Sequence, residues 1–274
     1  MNNKEQLGFL TIACNTNEVN YLNLAYVQAL NIKKTQKHNK FAVVVDKKTK
    51  ELVTDKHNKV FDYVIEAPEH NFGPYGIEAF LFSLSPFKET IKVESDLLFT
   101  RSIDHWIHAF RLRDIVLSTG CKKYTGEIAT SRKYRKFFDD NDLPDIYNGL
   151  MYFRFTKTAK DFFDVVIKIF ANWDKLSLSL KNCREPKPST DVVFAIAAEI
   201  IGRELCTLPS ADFINFVHMK PSINEFDEHL KFSEVFVTEF YKGMIRINNI
   251  NQYYPLHYYD KTFVTQEMID YYEQ

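Results

Sequence analysis

Ile91-Lys92-Val93-Glu94-Ser95-Asp96-Leu97-Leu98-Phe99 is an apolar run that enters two carboxylates and then turns apolar again. On an extended chain, residues i and i+2 point to the same side. Glu94 and Asp96 are therefore expected to face one spot just beyond the carboxyl end of a strand. In an open α/β sheet that edge is where ligands bind. Two hard oxygen donors there suit a divalent cation, Mn2+ or Mg2+, which in turn holds phosphate oxygens. An acidic pair after a strand also serves as a plain polar turn. The surrounding chain has to decide between the two.

Working outward, the pattern on the N-terminal side alternates strand and helix. Leu7–Cys14 is an apolar run ending in the polar turn Asn15-Thr16-Asn17. Tyr21–Asn31 carries Leu22, Ala25, Tyr26, Ala29 and Leu30 at helical spacing. Phe41–Val45 and Asp62–Ile65 are further strand candidates, and Ile77–Ser85 reads as a helix closed by Pro86. On the C-terminal side, Asp114–Ser118 and Ile146–Phe155 read as strands, and Ala159–Trp173 and Thr190–Ile201 as helices. Strands separated by helices predict a mostly parallel sheet with helices on both faces. We expect one α/β domain over 1–221 and a small C-terminal extension over 222–274 that packs on it.

Composition bounds the function. A formal charge of −1 gives no global field toward nucleic acid or membrane. Cys14, Cys121, Cys183 and Cys206 are scattered without a CxxC pair, which argues against structural zinc and fits a reducing cytoplasm. The most apolar helical stretch, Val192–Ile201, is interrupted by Glu199 and is too short to span a bilayer. A cytoplasmic protein is expected, and the sequence is silent on oligomeric state. GxSxG, Walker and GxGxxG motifs are absent.

A second chemical feature lies in Asp212–Lys220, where His218 and Lys220 follow a strand-like run. A neutral imidazole can be a third metal ligand, and mixed N/O donors favour manganese. Lys220 could meet a diphosphate as a point charge. An ordinary histidine of the core or surface is the competing reading for His218.

The ordered set resembles the GT-A glycosyltransferases, in particular glycogenin-like and related bacterial and phage enzymes. The set comprises the first strand with its polar turn, the acidic pair, Asn148-Gly149, Asp191 and His218-Met219-Lys220-Pro221, and it spans Leu7 to Pro221. The resemblance implies a DxD motif and a later histidine that bind the metal. Asp96 matches the last Asp of DxD, Glu94 stands where the first Asp would be, and His218 matches the histidine. The family's motif usually separates its histidine and lysine by more residues than lie between His218 and Lys220. Ala13, Asn15 and Thr16 match the nucleotide-base edge, with Glu94 also able to reach the ribose. Asn148 and Gly149 resemble the element beside the donor sugar, and Asp191 the carboxylate near the reacting carbon.

What this implies is transfer of a sugar (a hexosyl or pentosyl group) from a nucleotide diphosphate donor, commonly UDP-linked, with retention favoured. A nucleotidyltransferase is the rival enzyme class. It would need a Gly-rich basic loop after the first strand, where Asn15-Thr16-Asn17-Glu18 stands instead. A non-catalytic nucleotide-sugar-binding module is the alternative from another class.

Cys121–Phe138 carries Lys122, Lys123, Arg132, Lys133, Arg135 and Lys136 with interleaved aromatics. Basic residues track phosphates and aromatic faces stack on bases. Together with the phage-type resemblance, this suggests hydroxymethylcytosine DNA as acceptor, in a host cytoplasm if the chain is phage-encoded. Asp139-Asp140-Asn141-Asp142 follows at once and offsets that charge, so glycan, lipid-linked and protein acceptors stay open.

Overall fold

The computed structural model describes residues 4–129, 135–183, 185–209 and 214–274. Six strands form the central sheet: β1 (Glu5–Ile12), β2 (Phe41–Val45), β3 (Tyr63–Glu66), β4 (Phe87–Val93), β6 (Ile115–Thr119) and β9 (Ile146–Arg154). Their order is β3-β2-β1-β4-β9-β6. All pairings among the first four strands are parallel, and β9 runs antiparallel to both β4 and β6.

Apart from the half-buried edge strand β3, the strands are largely buried on both faces, as near-continuous apolar runs require. Phe9, Phe41, Val43, Ile91 and Val93 face one core with the helix Tyr21–Thr35. Leu10, Ala42, Val44, Met151 and Phe153 face the other, with the helices Lys157–Ala171 and Thr190–Ile201. The expected α/β class with helices on both faces is what is found. Within Ile77–Ser85 the single expected helix is instead a 3-10 segment, Gly76–Phe80, followed by one turn, Leu81–Leu84. Among the described residues no helix is long and apolar enough to cross a membrane.

A second sheet positions the site. It contains β5 (Leu97–Leu98), β7 (Cys121–Lys122), β8 (Ile128–Ala129), β10 (Val217–His218) and β14 (Leu256–His257), in the order β5-β14-β10-β7-β8. β5 begins one residue after Asp96, so the C-terminal strand β14 is tied to the acidic turn. Residues 222–274 also contribute an antiparallel meander, β11 (Thr238–Tyr241), β12 (Met244–Ile247) and β13 (Ile250–Asn251). A final helix, Gln266–Glu273, packs on Tyr21–Thr35.

Candidate metal and diphosphate site

β4 ends at Val93, and a tight turn follows in which the Leu97 amide donates to the Glu94 carbonyl at 3.1 Å. Glu94 and Asp96 therefore converge through a turn and not along an extended strand. Two buried amides of the helix Tyr21–Thr35 hold that turn. Gln28 Nε2 donates to the carbonyls of Glu94 and of Leu97, the latter at 2.9 Å. Asn31 exchanges hydrogen bonds with the Phe99 backbone at 2.8 and 2.9 Å. Neither amide has any exposure, and two such polar groups in a helix's buried face are there because the turn's backbone needs partners.

Across the turn, β14 pairs with β5, placing His257 opposite Leu97 and donating the Tyr258 amide to the Asp96 carbonyl at 3.0 Å. His257 Nε2 then lies 3.2 Å from Glu94 Oε2 and 3.1 Å from Asp96 Oδ1. The three ligand atoms lie within 4.8 Å of one another. Lys261, one turn further along, puts its ammonium on Asp96 Oδ2.

The electrostatics are those of a built site. Burial pushes Asp96 up, but His257 and Lys261 outweigh it and hold the carboxyl far below the usual range. Burial acts likewise on Glu94, where Lys92 and His257 prevail and keep it ionised. Burial alone would lower His257, yet the two carboxylates raise it to about 10. In the metal-free protein the imidazolium thus occupies the position of a cation between two carboxylates. Two carboxylate oxygens and one imidazole nitrogen around one point form a donor set that fits a divalent ion.

His218, the histidine expected here, is one strand away. It pairs in register with His257, and its ring stacks on His257 at 4.5 Å and 7°. Burial, then the positive His257, push it well below the ordinary imidazole range. It backs the His257 ring, and the cluster around Glu94 and Asp96 is completed by His257. Lys220 opens the short helical turn Pro221–Asn224.

Asn148 and Asp191 do meet. Asp191 Oδ1 accepts from the Asn148 amide at 2.8 Å, and Arg135 reaches Asp191 Oδ2 at 3.4 Å. Gly149 is packed and not open: a Cβ there would lie 2.6 Å from Phe216 Cζ, while its carbonyl accepts from the Glu94 amide at 3.1 Å. Ala13 is fully buried. Asn15 Oδ1 accepts from Leu22 N at 2.8 Å, and Thr16 Oγ1 from Val19 N at 3.0 Å. Their side chains thus shape the start of the first helix.

The basic stretch is not a free cationic face among the described residues. Arg135 is 4 % exposed, sandwiched by Phe138 and Tyr147 at 3.9 and 3.8 Å, and paired to Asp145 and Asp191. Lys122 is buried over Tyr254. Lys123 pairs with Glu225 and Lys136 with Asp140. Arg132 and Lys133 lie outside the described residues. Among the described residues, the cations that motivated a DNA acceptor, Lys122, Lys123, Arg135 and Lys136, are therefore directed inward or already paired.

Sequence reasoning missed His257 and Lys261. Their signal is the spacing itself: three residues separate them, against one between His218 and Lys220. It also missed Lys92 and Glu78, whose charges lie inside apolar context.

No protein-family profile and no curated sequence matches the chain. Solved structures do. The glycosyltransferase GlyE of Streptococcus pneumoniae TIGR4 superposes with a TM-score of 0.51 at 9% identity, covering 98% of this chain and 60% of that one. The chain thus spans about three-fifths of GlyE's length. The bifunctional glycosyltransferase WbbM matches with a TM-score of 0.49 at 10% identity, over 84% of this chain and 43% of that one. Mouse xyloside xylosyltransferase 1 matches with 0.47 at 11%, over 75% and 85%. Of these three, only GlyE is similar enough to establish a shared architecture. The fold of this chain is therefore similar to that of the glycosyltransferase GlyE, a mixed α/β fold with a mainly parallel central sheet.

Proposed function

We propose that the chain is a divalent-metal-dependent glycosyltransferase that moves a sugar from a nucleoside diphosphate donor to an acceptor hydroxyl. The observation that carries this reading is the convergence of Glu94, Asp96 and His257, with Lys261 beside them, at the carboxyl edge of the sheet. Mn2+ or Mg2+ bound there would supply Lewis-acid neutralisation of a departing diphosphate.

The chain's own residues do the rest. Glu94 and Asp96, kept ionised, are the oxygen donors, and His257 offers Nε2 once its proton leaves. Lys261 is a mobile cation that can pass from Asp96 to a phosphate oxygen. Asp191, oriented by the Asn148 amide and Arg135, faces the sugar side. In the reaction, the anomeric carbon–oxygen bond to phosphate breaks with its electron pair leaving on the diphosphate. The acceptor oxygen bonds to that carbon and passes its proton to an oxygen of the departing diphosphate. Positioning of the acceptor contributes more than its activation. Retention is the outcome we favour, on the resemblance alone.

A cavity of about 400 Å³ opens beside Lys261, lined among others by Met219, Phe226, Leu230, Phe232 and Tyr259. Its size and mixed aromatic and polar walls suit a saccharide-sized acceptor, within the roughly 300–1,000 Å³ of small-ligand sites.

The test is a thermal-shift screen of nucleotide sugars with and without Mn2+. A donor at a hundred times its Kd adds about 2.7 kcal/mol, which corresponds to a Tm rise of roughly 5–10 °C for a chain of this size. The rise should need the metal and vanish in Asp96→Asn. If no nucleotide sugar shifts Tm and none is hydrolysed, the reading fails.

A further inference from the structure

Lys92 is the least expected charge in the sheet. It lies next to the carboxyl end of β4, two residues before Glu94, and is 1 % exposed. A lysine is almost never buried so fully without partners that require it. Its ammonium makes three contacts: Glu78 Oε1 at 2.8 Å, the Asn148 carbonyl at 2.9 Å and Glu94 Oε1 at 3.7 Å. Glu78 comes from the 3-10 segment Gly76–Phe80 and Asn148 from the neighbouring strand β9. Neither belongs to the Glu94–Asp96–His257 cluster. Glu94 is the one carboxylate that touches both sets: Oε1 faces Lys92 and Oε2 faces His257.

We infer that Lys92 is a positioning residue, anchored by Glu78 and the Asn148 carbonyl, that holds the Glu94 carboxylate turned so that Oε2 points at the metal position. The inference rests on the metal reading given above. Glu94 has one methylene more than aspartate, and with it one more rotatable bond. An internal cation that captures Oε1 removes that freedom. Partners behind a ligand commonly change metal affinity by about 10–100-fold when removed.

Replacing Lys92 alone would leave Glu78 as an uncompensated buried charge, so the informative variant is Lys92→Met with Glu78→Met. This pair removes one positive and one negative charge, so the net charge around Glu94 is conserved. Buried ion pairs are commonly replaced by apolar residues without loss of fold.

The experiment measures Mn2+ affinity of the whole chain from the electron paramagnetic resonance signal of free Mn2+, with Tm recorded alongside. The double variant should keep its Tm within a few degrees and bind Mn2+ about tenfold more weakly, with turnover restored by excess Mn2+. Glu78→Asp, which keeps every charge and draws Lys92 back by one methylene, should weaken Mn2+ severalfold. It also decides the matter if the double variant does not fold. Mn2+ affinity within twofold of wild type in a folded variant overturns the inference while the metal site stands. A wild-type chain that binds no Mn2+ overturns both.

Discussion

Metal binding at Glu94, Asp96 and His257 should release a proton, and the size of the effect follows from the geometry. His257 Nε2 is the nitrogen that faces both carboxylates, at 3.2 and 3.1 Å. It is therefore the atom that carries the proton in the metal-free protein and the atom a metal must take. With the imidazole raised to about 10, that proton is fully bound through pH 6–8.5. Asp96 and Glu94 are both held below their ordinary values, so neither exchanges protons in this window. One proton should therefore leave per metal bound, and Mn2+ affinity should tighten about tenfold per pH unit, or about a hundredfold from pH 6.5 to 8.5. The sign for stability runs the other way. A folded pKa above the unfolded one contributes stability that is complete below about pH 6.5 and is lost as pH rises through about 10. The metal-free protein should thus lose Tm toward alkaline pH where the metal-bound protein does not. Calorimetry in buffers of different ionisation enthalpy counts the protons directly. A pH-independent Mn2+ Kd with no proton released would refute the reasoning.

Other expectations test the same frame. His257→Gln should weaken Mn2+ binding by about 10²-fold or more, whereas His218→Gln, at a ring that stacks on the back of His257, should cost about tenfold or less. Equal losses would show that the stack and the ligand cannot be separated. Gly149→Ala drives a methyl to 2.6 Å from the Phe216 ring and should cost about 1–3 kcal/mol in urea unfolding, recovered in part by Phe216→Leu. An unchanged midpoint would mean that the ring yields freely. Arg135→Met leaves Asp191 and Asp145 without their shared cation and should destabilise by about 3–5 kcal/mol. Retention of wild-type stability and turnover would show that Asp191 does not depend on it.

The fold was legible because its signal is local. The β-branched run Phe41–Val45 and the helical spacing in Tyr21–Asn31 and Thr190–Ile201 are set by neighbours in sequence, and the elements occur there. The acidic pair was legible for the same reason, since two residues span it. The histidine that joins this pair was not. His257 reaches Asp96 across 161 positions through the short pairing of β14 with β5, and two-residue strands leave almost no periodicity to read. His218, which precedes a lysine and a proline in a strand-like run, carries the same local signature. It ends in the same register, one strand away. A histidine was expected beside the acidic pair at His218, and tertiary pairing brings the adjacent His257 there instead.

The basic stretch shows the converse, a clear local pattern with a different tertiary use. Cationic residues interleaved with aromatics suit a nucleic-acid surface, but the same composition suits a buried arginine that needs rings on both faces and carboxylates at its edge. Arg135 has Phe138 and Tyr147 as its rings and Asp145 and Asp191 as its carboxylates. Asp139-Asp140 already offset the remaining charge in sequence, and Asp140 pairs with Lys136 in the fold. Lys92 and Arg135 then play parallel parts on the two sides of the Asn148 peptide. Lys92 takes its carbonyl, and Asp191, held by Arg135, takes its amide. Charges inside apolar context are costly, and here two of them converge on Asn148, beside the acidic turn. The polar residues that depart from the hydrophobic pattern, and not those that follow it, are the ones that gather around the candidate site.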